Sequence, residues 1–265
     1  KAVFITHCQG FNDLSRLLLK TLSERRIVLL EDVCEAHGAT FDNHKLGTFG
    51  KISNFSFYYA HHMTTIEGGM ISTNDESIYE VLRMYRSHGM VREASSREVR
   101  SRYQTDYPQL NPEFIFAYPG YNVRNNEISA IIGRSQLSRL DADNEKRRDN
   151  IRIFLDHLDD SKYQVDFDLE GNSNYAFPLI LNEPDFSLRD RLEAVLRAND
   201  IEFRRGSAGG GNQLRQPYLK SIVEEEMFSE FPNVEHIHFF GYYIANIPDM
   251  TVDEIFELCS ILEKL

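Results

Sequence analysis

The sequence predicts an α/β protein with a mostly parallel sheet, because short apolar runs alternate with amphipathic stretches from residue 1 to about 90. Residues 2–5 and 27–30 are continuous apolar runs, which is typical of strands buried on both faces. Between them lies a stretch with leucines at helical spacing, and Asn12 or Asp13 can cap that helix. The second run ends in Glu31-Asp32, which places two carboxylates at the end of a strand.

The following segments continue this alternation. Residues 55–60 show the two-residue period of a strand, and a turn at Gly68-Gly69 leads into a further strand at 70–72. Asp75 is expected to cap a helix that closes at Gly89. Residues 90–120 lose periodicity and contain three prolines, which predicts a long functional loop.

A long helical pattern at 126–160, bent near 141–143, is expected to join two lobes. We therefore expect residues 1–140 to belong to a large domain and residues 141–265 to a smaller α+β domain. The smaller domain is predicted to contain strands at 175–181 and 201–205, a helix from Ser187 to Leu196, a glycine-rich loop at 206–211, and a final helix opened by the capping box of Thr251 and Glu254.

Composition excludes several classes of function. The chain of 265 residues has 29 Lys and Arg against 41 Asp and Glu, a net charge of −12 that disfavours nucleic acid and anionic membranes as partners. Mean hydropathy is −0.42, as in an ordinary water-soluble protein. Cys8, Cys34 and Cys259 form no CxxC pair, and no histidine spacing suggests a metal site. These features predict a cytoplasmic protein without a bound metal.

Three motifs occur in a fixed order: 30–39 after the second apolar run, 54–62 around His61, and 120–128 at the start of the long helix. Together they resemble the DegT/StrS-type sugar aminotransferase family. The resemblance covers essentially the whole chain and implies the aspartate aminotransferase fold with pyridoxal phosphate (PLP) as cofactor. Because Lys1 leads directly into an apolar strand, we expect an amino-terminal segment of the family fold to be missing.

The resemblance also implies roles for individual residues. Asp32 matches the carboxylate that pairs with the pyridine nitrogen of PLP, Glu35 lies near the ring hydroxyl, and Ser56 meets the phosphate. Asn122 matches a residue that reaches the cofactor phosphate of the neighbouring subunit, so a homodimer with shared active sites is expected. Taken alone, Asp32 would be a helix cap, Glu35 a solvated helix residue and Ser56 an ordinary strand residue.

The chain departs from the family at His61, where family aminotransferases carry the lysine that bonds covalently to PLP. Imidazole cannot replace that bond, but it can move protons near neutral pH, since its pKa is about 6.5 against about 10.4 for lysine. Histidine at this place marks the nucleotide-sugar 3-dehydratases. Some of these enzymes hold an iron–sulfur cluster on several cysteines. In this chain no cysteine follows residues 86–93 until Cys259. The resemblance is therefore to the cluster-free kind, with His61 as catalytic acid and base.

This subfamily resemblance implies removal of the 3-hydroxyl from a GDP-linked 4-keto-6-deoxyhexose, with PLP and its amine form PMP as cofactor and glutamate as amino donor. Deoxysugars such as colitose arise in this way. His88, Arg204 and Arg205 are candidate substrate contacts, although His88 also suits a helix end and the glycines after Arg205 suit a flexible loop. Two other functions stay open: a nucleotide-sugar 4-aminotransferase, which the missing lysine disfavours, and a non-catalytic relative that binds sugar nucleotides.

Overall fold

The structure, a computed structural model, describes residues 1–265, the side chain of Ala208 excepted. The strands of the amino-terminal lobe are β1 (Ala2–Thr6), β2 (Val28–Asp32), β3 (Thr40–Phe41), β4 (His44–Lys45), β5 (Ile52–Ser56) and β6 (Gly69–Thr73). β3 and β4 form a short hairpin, and the others form a four-stranded sheet in the order β1-β2-β5-β6. β1, β2 and β5 are parallel and β6 is antiparallel to β5. The predicted α/β class with a mostly parallel sheet is confirmed.

The strand predicted at 55–60 is wrong in its position, because β5 ends at Ser56. Beyond it the chain leaves the sheet and turns, with the amide of His61 donating to the carbonyl oxygen of Tyr58 at 3.1 Å. The aromatic alternation in this stretch therefore belongs partly to a loop. His61 therefore lies in this turn and does not belong to the sheet.

The helices of the same lobe are α1 (Arg16–Glu24), α2 (Glu76–Tyr85), α3 (Arg97–Asp106) and α4 (Glu127–Leu137). Asp75 caps α2 as predicted, accepting from the Ile78 amide at 3.1 Å. The cap predicted for α1 is wrong: Ser15 fills that position, while Asp13 accepts from the Cys8 amide. The long loop predicted at 90–120 is also wrong in part, because residues 97–106 form α3, a highly charged helix capped by Ser96.

The remaining elements are α5 (Leu140–His157), β7 (Ala176–Ile180), α6 (Phe186–Ala198), β8 (Phe203–Arg205), α7 (Pro232–Phe240), β9 (Gly241–Ala245) and α8 (Val252–Glu263). β7, β9 and β8 form an antiparallel sheet in that order. The predicted capping box of Thr251 and Glu254 opens α8, and Cys259 is buried there as expected. The helix break lies at residues 138–139 rather than 141–143, where the Ser138 hydroxyl donates to the Ser135 carbonyl oxygen.

Each lobe has its own apolar core. One core packs α1 against β2 around Leu22, Leu29 and Val33, and the other packs α5, α6 and α8 against the second sheet. Asp32 and Asn54 lie opposite each other at the carboxyl ends of the parallel strands β2 and β5, which is where α/β sheets place their ligands.

Glu31, fully buried beside Asp32, organises the loop below this edge. Its carboxylate accepts from the amides of Gly47 at 2.7 Å and Phe49 at 2.9 Å, and also from the Gly50 amide. The imidazole of His7 lies 3.5 Å away. Burial opposes ionisation of Glu31, but the hydrogen bonds from His7 and from the loop amides outweigh it and lower its pKa.

We expect Glu31→Gln to lower the free energy of unfolding at pH 7 by about 2 kcal/mol, because an amide cannot accept all of these hydrogen bonds. Since the pKa of Glu31 is lowered in the folded state, its stabilisation exists above the unfolded pKa and is lost as pH falls through the folded pKa. The difference between variant and parent should therefore shrink in acid. Urea unfolding across pH measures it, with the exposed Glu24→Gln as control; equal effects of both variants would contradict the prediction.

Candidate active site

A cavity of about 460 Å³ opens between the two lobes. The amino-terminal lobe contributes Glu35 and His61, and the carboxyl-terminal lobe contributes Arg147, Tyr175 and Arg204. This volume lies in the range of pockets that hold small molecules. The structure thus brings together three of the residues predicted for the site, Glu35, His61 and Arg204.

Asp32 lies at the end of β2, directly opposite Asn54 of β5 in the parallel register. One carboxylate oxygen, Oδ1, accepts from Asn54 Nδ2 at 2.8 Å and from the Cys34 amide at 3.1 Å. Within the described residues, Oδ2 has no hydrogen-bond donor. Burial, together with the charge of Asp32, raises the pKa of Cys34 to about 12, so this thiol stays protonated. Asp32 is held by one oxygen and can accept a further donor with the other.

His61 lies between two aromatic rings at the cavity wall. Its ring centroid is 5.6 Å from that of Tyr58 and 5.9 Å from that of Tyr175, both in near-perpendicular contacts. Its Nδ1 is buried without a hydrogen-bond partner among the described residues. Burial lowers the pKa of His61 below its ordinary value. At neutral pH the imidazole is therefore uncharged and able to accept a proton.

Glu35 faces the cavity from the segment after β2. Its Oε2 accepts from the Gln9 amide at 2.7 Å. Burial raises the pKa of Glu35, and the hydroxyl of Tyr175 beside it partly offsets this effect. Burial likewise raises the pKa of Tyr175, which keeps its phenol protonated. Glu35 and Tyr175 form a polar pair that links the two lobes.

The predicted site residues Asp32, Ser56, His88 and Asn122 do not line the cavity. Ser56 ends β5 on the same strand face as Asn54, and its hydroxyl oxygen accepts from the Tyr58 amide at 3.3 Å. His88 is exposed beyond α2 with a left-handed φ of 61°. Asn122 is exposed and forms a backbone bridge with Ser87. His88 and Asn122 thus share a surface beside the site, and their roles stay predictions.

The two arginines of β8 point in opposite directions, as neighbouring strand residues must. Arg204 lines the cavity and contacts Glu202 at 3.3 Å. Arg205 lies on the other face, where it pairs with Glu193 at 3.0 Å, and Glu193 also accepts from the Tyr242 hydroxyl. The structure therefore does not bring Arg205 to the cavity, and of these two arginines Arg204 alone lines it.

Two buried histidines, His37 and His62, lie next to the segment that carries His61. The ring centroids of His37 and His62 are stacked 5.5 Å apart, and His62 Nε2 contacts the carbonyl oxygen of Ser173 from the other lobe. Burial lowers the pKa of His37 to about 4 and that of His62 well below its usual value. Both rings are neutral and fix the position of the segment that carries His61.

The sequence analysis did not identify Asn54, Arg147 and Tyr175 as site residues. Because side chains alternate along a strand, Asn54 and Ser56 lie on the same face of β5. This signal could have identified Asn54 once the end of the strand was known. Arg147 occurs in a run of basic residues that is typical of a solvated helix face, so no local signal marks its burial. Tyr175 precedes a strand and is drawn to the site by the packing of the two lobes.

Comparison with known proteins then identifies the family. Residues 1–263 match the DegT/DnrJ/EryC1/StrS aminotransferase family. The chain belongs to this family. Family enzymes depend on PLP, and solved relatives carry it, which confirms the predicted cofactor and fold. None of the helices in the described part of the chain has the length and apolarity to span a membrane.

Members of the DegT/DnrJ/EryC1/StrS family with different activities are similar to the chain. GDP-4-keto-6-deoxy-D-mannose 3-dehydratase of Escherichia coli O55:H7 is 35% identical over 245 residues, which are 92% of this chain and 62% of that protein. GDP-perosamine synthase of Vibrio cholerae is 27% identical over 266 residues, 100% of this chain and 66% of that protein. A crystal structure of GDP-4-keto-6-deoxymannose-3-dehydratase with a trapped PLP-glutamate geminal diamine superposes with a TM-score of 0.83 at 32% identity, covering 99% of this chain and 67% of that one. The chain thus spans about two thirds of the length of these relatives.

Proposed function

We propose that this protein takes part in PLP- and PMP-dependent removal of the 3-hydroxyl from a GDP-linked 4-keto-6-deoxyhexose, with glutamate as amino donor. The observation that carries the proposal is His61. A neutral imidazole lines the cavity, and the family resemblance assigns this position to the lysine of the aminotransferases. The similarity to GDP-4-keto-6-deoxy-D-mannose 3-dehydratase supports the choice of substrate class.

The residues around Asp32 fit the cofactor. An anionic carboxylate with one oxygen fixed by Asn54 and the other without a donor suits a protonated ring nitrogen. Ser56 offers a hydroxyl to the phosphate, and the Glu35 and Tyr175 pair suits the ring hydroxyl. Bound PLP supplies an electron sink that stabilises negative charge developing on carbon. Asp32 keeps that sink effective by stabilising the positive charge of the nitrogen.

His61 moves the protons of the reaction. Its lowered pKa makes the imidazole an available base near pH 7, and the ring lines the cavity. After taking a proton from carbon, the imidazolium donates a proton to the 3-hydroxyl oxygen as that group departs. The rings of Tyr58 and Tyr175 restrict its orientation, so that one imidazole serves both steps.

Substrate contacts and a homodimer complete the proposal. Arg204 faces the cavity and can bind a carboxylate or a diphosphate, while His88 contacts the sugar from the neighbouring surface. Asn122 would reach the cofactor phosphate of a second subunit. Its neighbour Tyr121 is 80% exposed and Ile128 of α4 is 73% exposed, as expected of an apolar surface that a second copy covers.

A product assay tests the proposed reaction. Purified protein is incubated with PLP, glutamate and GDP-4-keto-6-deoxymannose, and the products are analysed by mass spectrometry. We expect a sugar that has lost the oxygen at carbon 3, together with free ammonia. Nitrogen retained on the sugar would instead identify a 4-aminotransferase, the alternative suggested by the similarity to GDP-perosamine synthase. A spectrum with PLP that glutamate does not change would indicate a non-catalytic relative.

A further inference from the structure

Arg147 is a charged residue of the cavity that the reaction above does not use. It lies on α5, is only 8% exposed and lines the cavity together with His61 and Arg204. Its Nε donates to the carbonyl oxygen of Asn246 at 3.4 Å, and its Nη1 donates to Asn144 Oδ1 at 3.3 Å. Both acceptors are neutral and both distances are long for a guanidinium.

No carboxylate pairs directly with this buried cation within the described residues, although the charge of Asp143 on the same helix partly offsets the effect of burial. No carboxylate oxygen there lies within 4.0 Å of the Arg147 guanidinium. The nearest acid along α5, Asp143, is directed to Arg139 at 3.8 Å. His37 and His62 are neutral for the reasons given above, and burial lowers the pKa of Arg147 only to about 10, so it stays protonated at pH 7. Buried arginines are otherwise almost always paired with an anion.

We propose that Arg147 forms a carboxylate subsite in the cavity and binds a carboxylate of the amino donor, a small dicarboxylic amino acid. The proposal rests on the proposed function, which requires such a donor. The guanidinium has five N–H donors, and its hydrogen bonds to Asn246 and Asn144 leave the others for a ligand. A carboxylate matches this planar fork with two parallel hydrogen bonds.

The subsite is fixed before the ligand arrives. Asn144 Nδ2 donates to the carbonyl oxygen of His37 at 2.8 Å, and Asn246 Nδ2 donates to the carbonyl oxygen of Arg147 at 2.9 Å. These bonds tie the arginine to both lobes and restrict its side chain. Preorganisation of this kind reduces the entropy lost on binding.

The buried position of Arg147 favours the amino donor, and not the sugar nucleotide, as its ligand. Arg147 is buried, whereas Arg204 is exposed at the same cavity and can meet a bulky diphosphate. A compact carboxylate can enter a nearly closed position, and a nucleoside diphosphate keeps most of its groups toward solvent. We therefore assign the buried arginine to the donor and leave the exposed one to the larger substrate.

Direct binding of 2-oxoglutarate, the keto acid that corresponds to the donor, tests the subsite by isothermal titration calorimetry. We expect Arg147→Met to raise its Kd at least about tenfold, and Arg147→Lys to raise it less, since lysine keeps the charge without the fork. Arg148→Met is the matched control, because Arg148 donates to the Asn172 carbonyl oxygen and does not line the cavity. It should bind as the parent does.

If Arg147 had a purely structural role, the Kd values of these variants would differ from those expected above. If Arg147→Met or Arg147→Lys binds 2-oxoglutarate with the parental Kd, or if Arg148→Met weakens binding equally, the subsite is overturned. Circular dichroism and melting temperature show whether Arg147→Met is folded. If it is not, the Kd of Arg147→Lys alone decides whether the subsite exists. The product assay tests the proposed dehydration separately from the subsite. If the Kd depends on Arg147 but the product is an amino sugar, the subsite is supported and the dehydration is contradicted.

Discussion

The variant His61→Lys should become covalently attached to added PLP and should lose dehydratase activity. By the family resemblance, the introduced amine takes the place proposed for the lysine of the aminotransferases, beside Tyr58 and Tyr175. Borohydride reduction followed by intact-protein mass spectrometry should then show one added phosphopyridoxyl group. Dehydration should fall at least about 100-fold, because a lysine that is bonded or protonated near pH 7 is a poor base.

Two further variants make this experiment specific. His61→Asn removes the proton carrier without adding a nucleophile, so it should bind cofactor and substrate yet turn over at least about 100-fold more slowly. His44→Lys places a lysine on the exposed β3–β4 hairpin and controls for attachment to surface amines. A His61→Lys protein no more modified than His44→Lys, together with parental turnover in His61→Asn, would remove His61 from the reaction centre.

Features that follow from strand order or from local interactions could be predicted from the sequence. Asp32 is predictable because a buried apolar run ends there, and parallel strands bring their carboxyl ends to one edge. Thr251 and Glu254 are predictable because a capping box is a local interaction. The placement of His61 came from the family resemblance, since nothing in its neighbours specifies a cavity.

Other features depend on contacts between distant segments. Arg147 follows no local pattern, and only the packing of α5 between the lobes buries it. α3 was missed because only Val99 and Tyr103 pack against the apolar core from this helix, and two residues are too few to show a helical period. The opposite directions of Arg204 and Arg205 follow from the strand period, a signal present in the sequence that the prediction of both as substrate contacts did not use.

Asp32→Asn should leave the fold intact and slow the chemical step by about 100- to 1000-fold. Removing one charge of a buried pair costs about 3–5 kcal/mol, and here the loss falls mainly on the state in which charge has developed on carbon. Asparagine keeps the shape of the side chain and can still accept from Cys34. Single-turnover rates of the proton-abstraction step should therefore fall far more than substrate affinity changes.

A graded series distinguishes loss of this charge from general disturbance of the sheet edge. Asn54→Ala removes the 2.8 Å hydrogen bond to Asp32 Oδ1 but keeps the carboxylate, so its rate should fall by only about tenfold. Asp42→Asn, in the exposed turn where Asp42 pairs with Arg16, should be silent. If proton loss proceeds at the parental rate in Asp32→Asn, then Asp32 does not stabilise the charged ring nitrogen and the cofactor must be held by other residues.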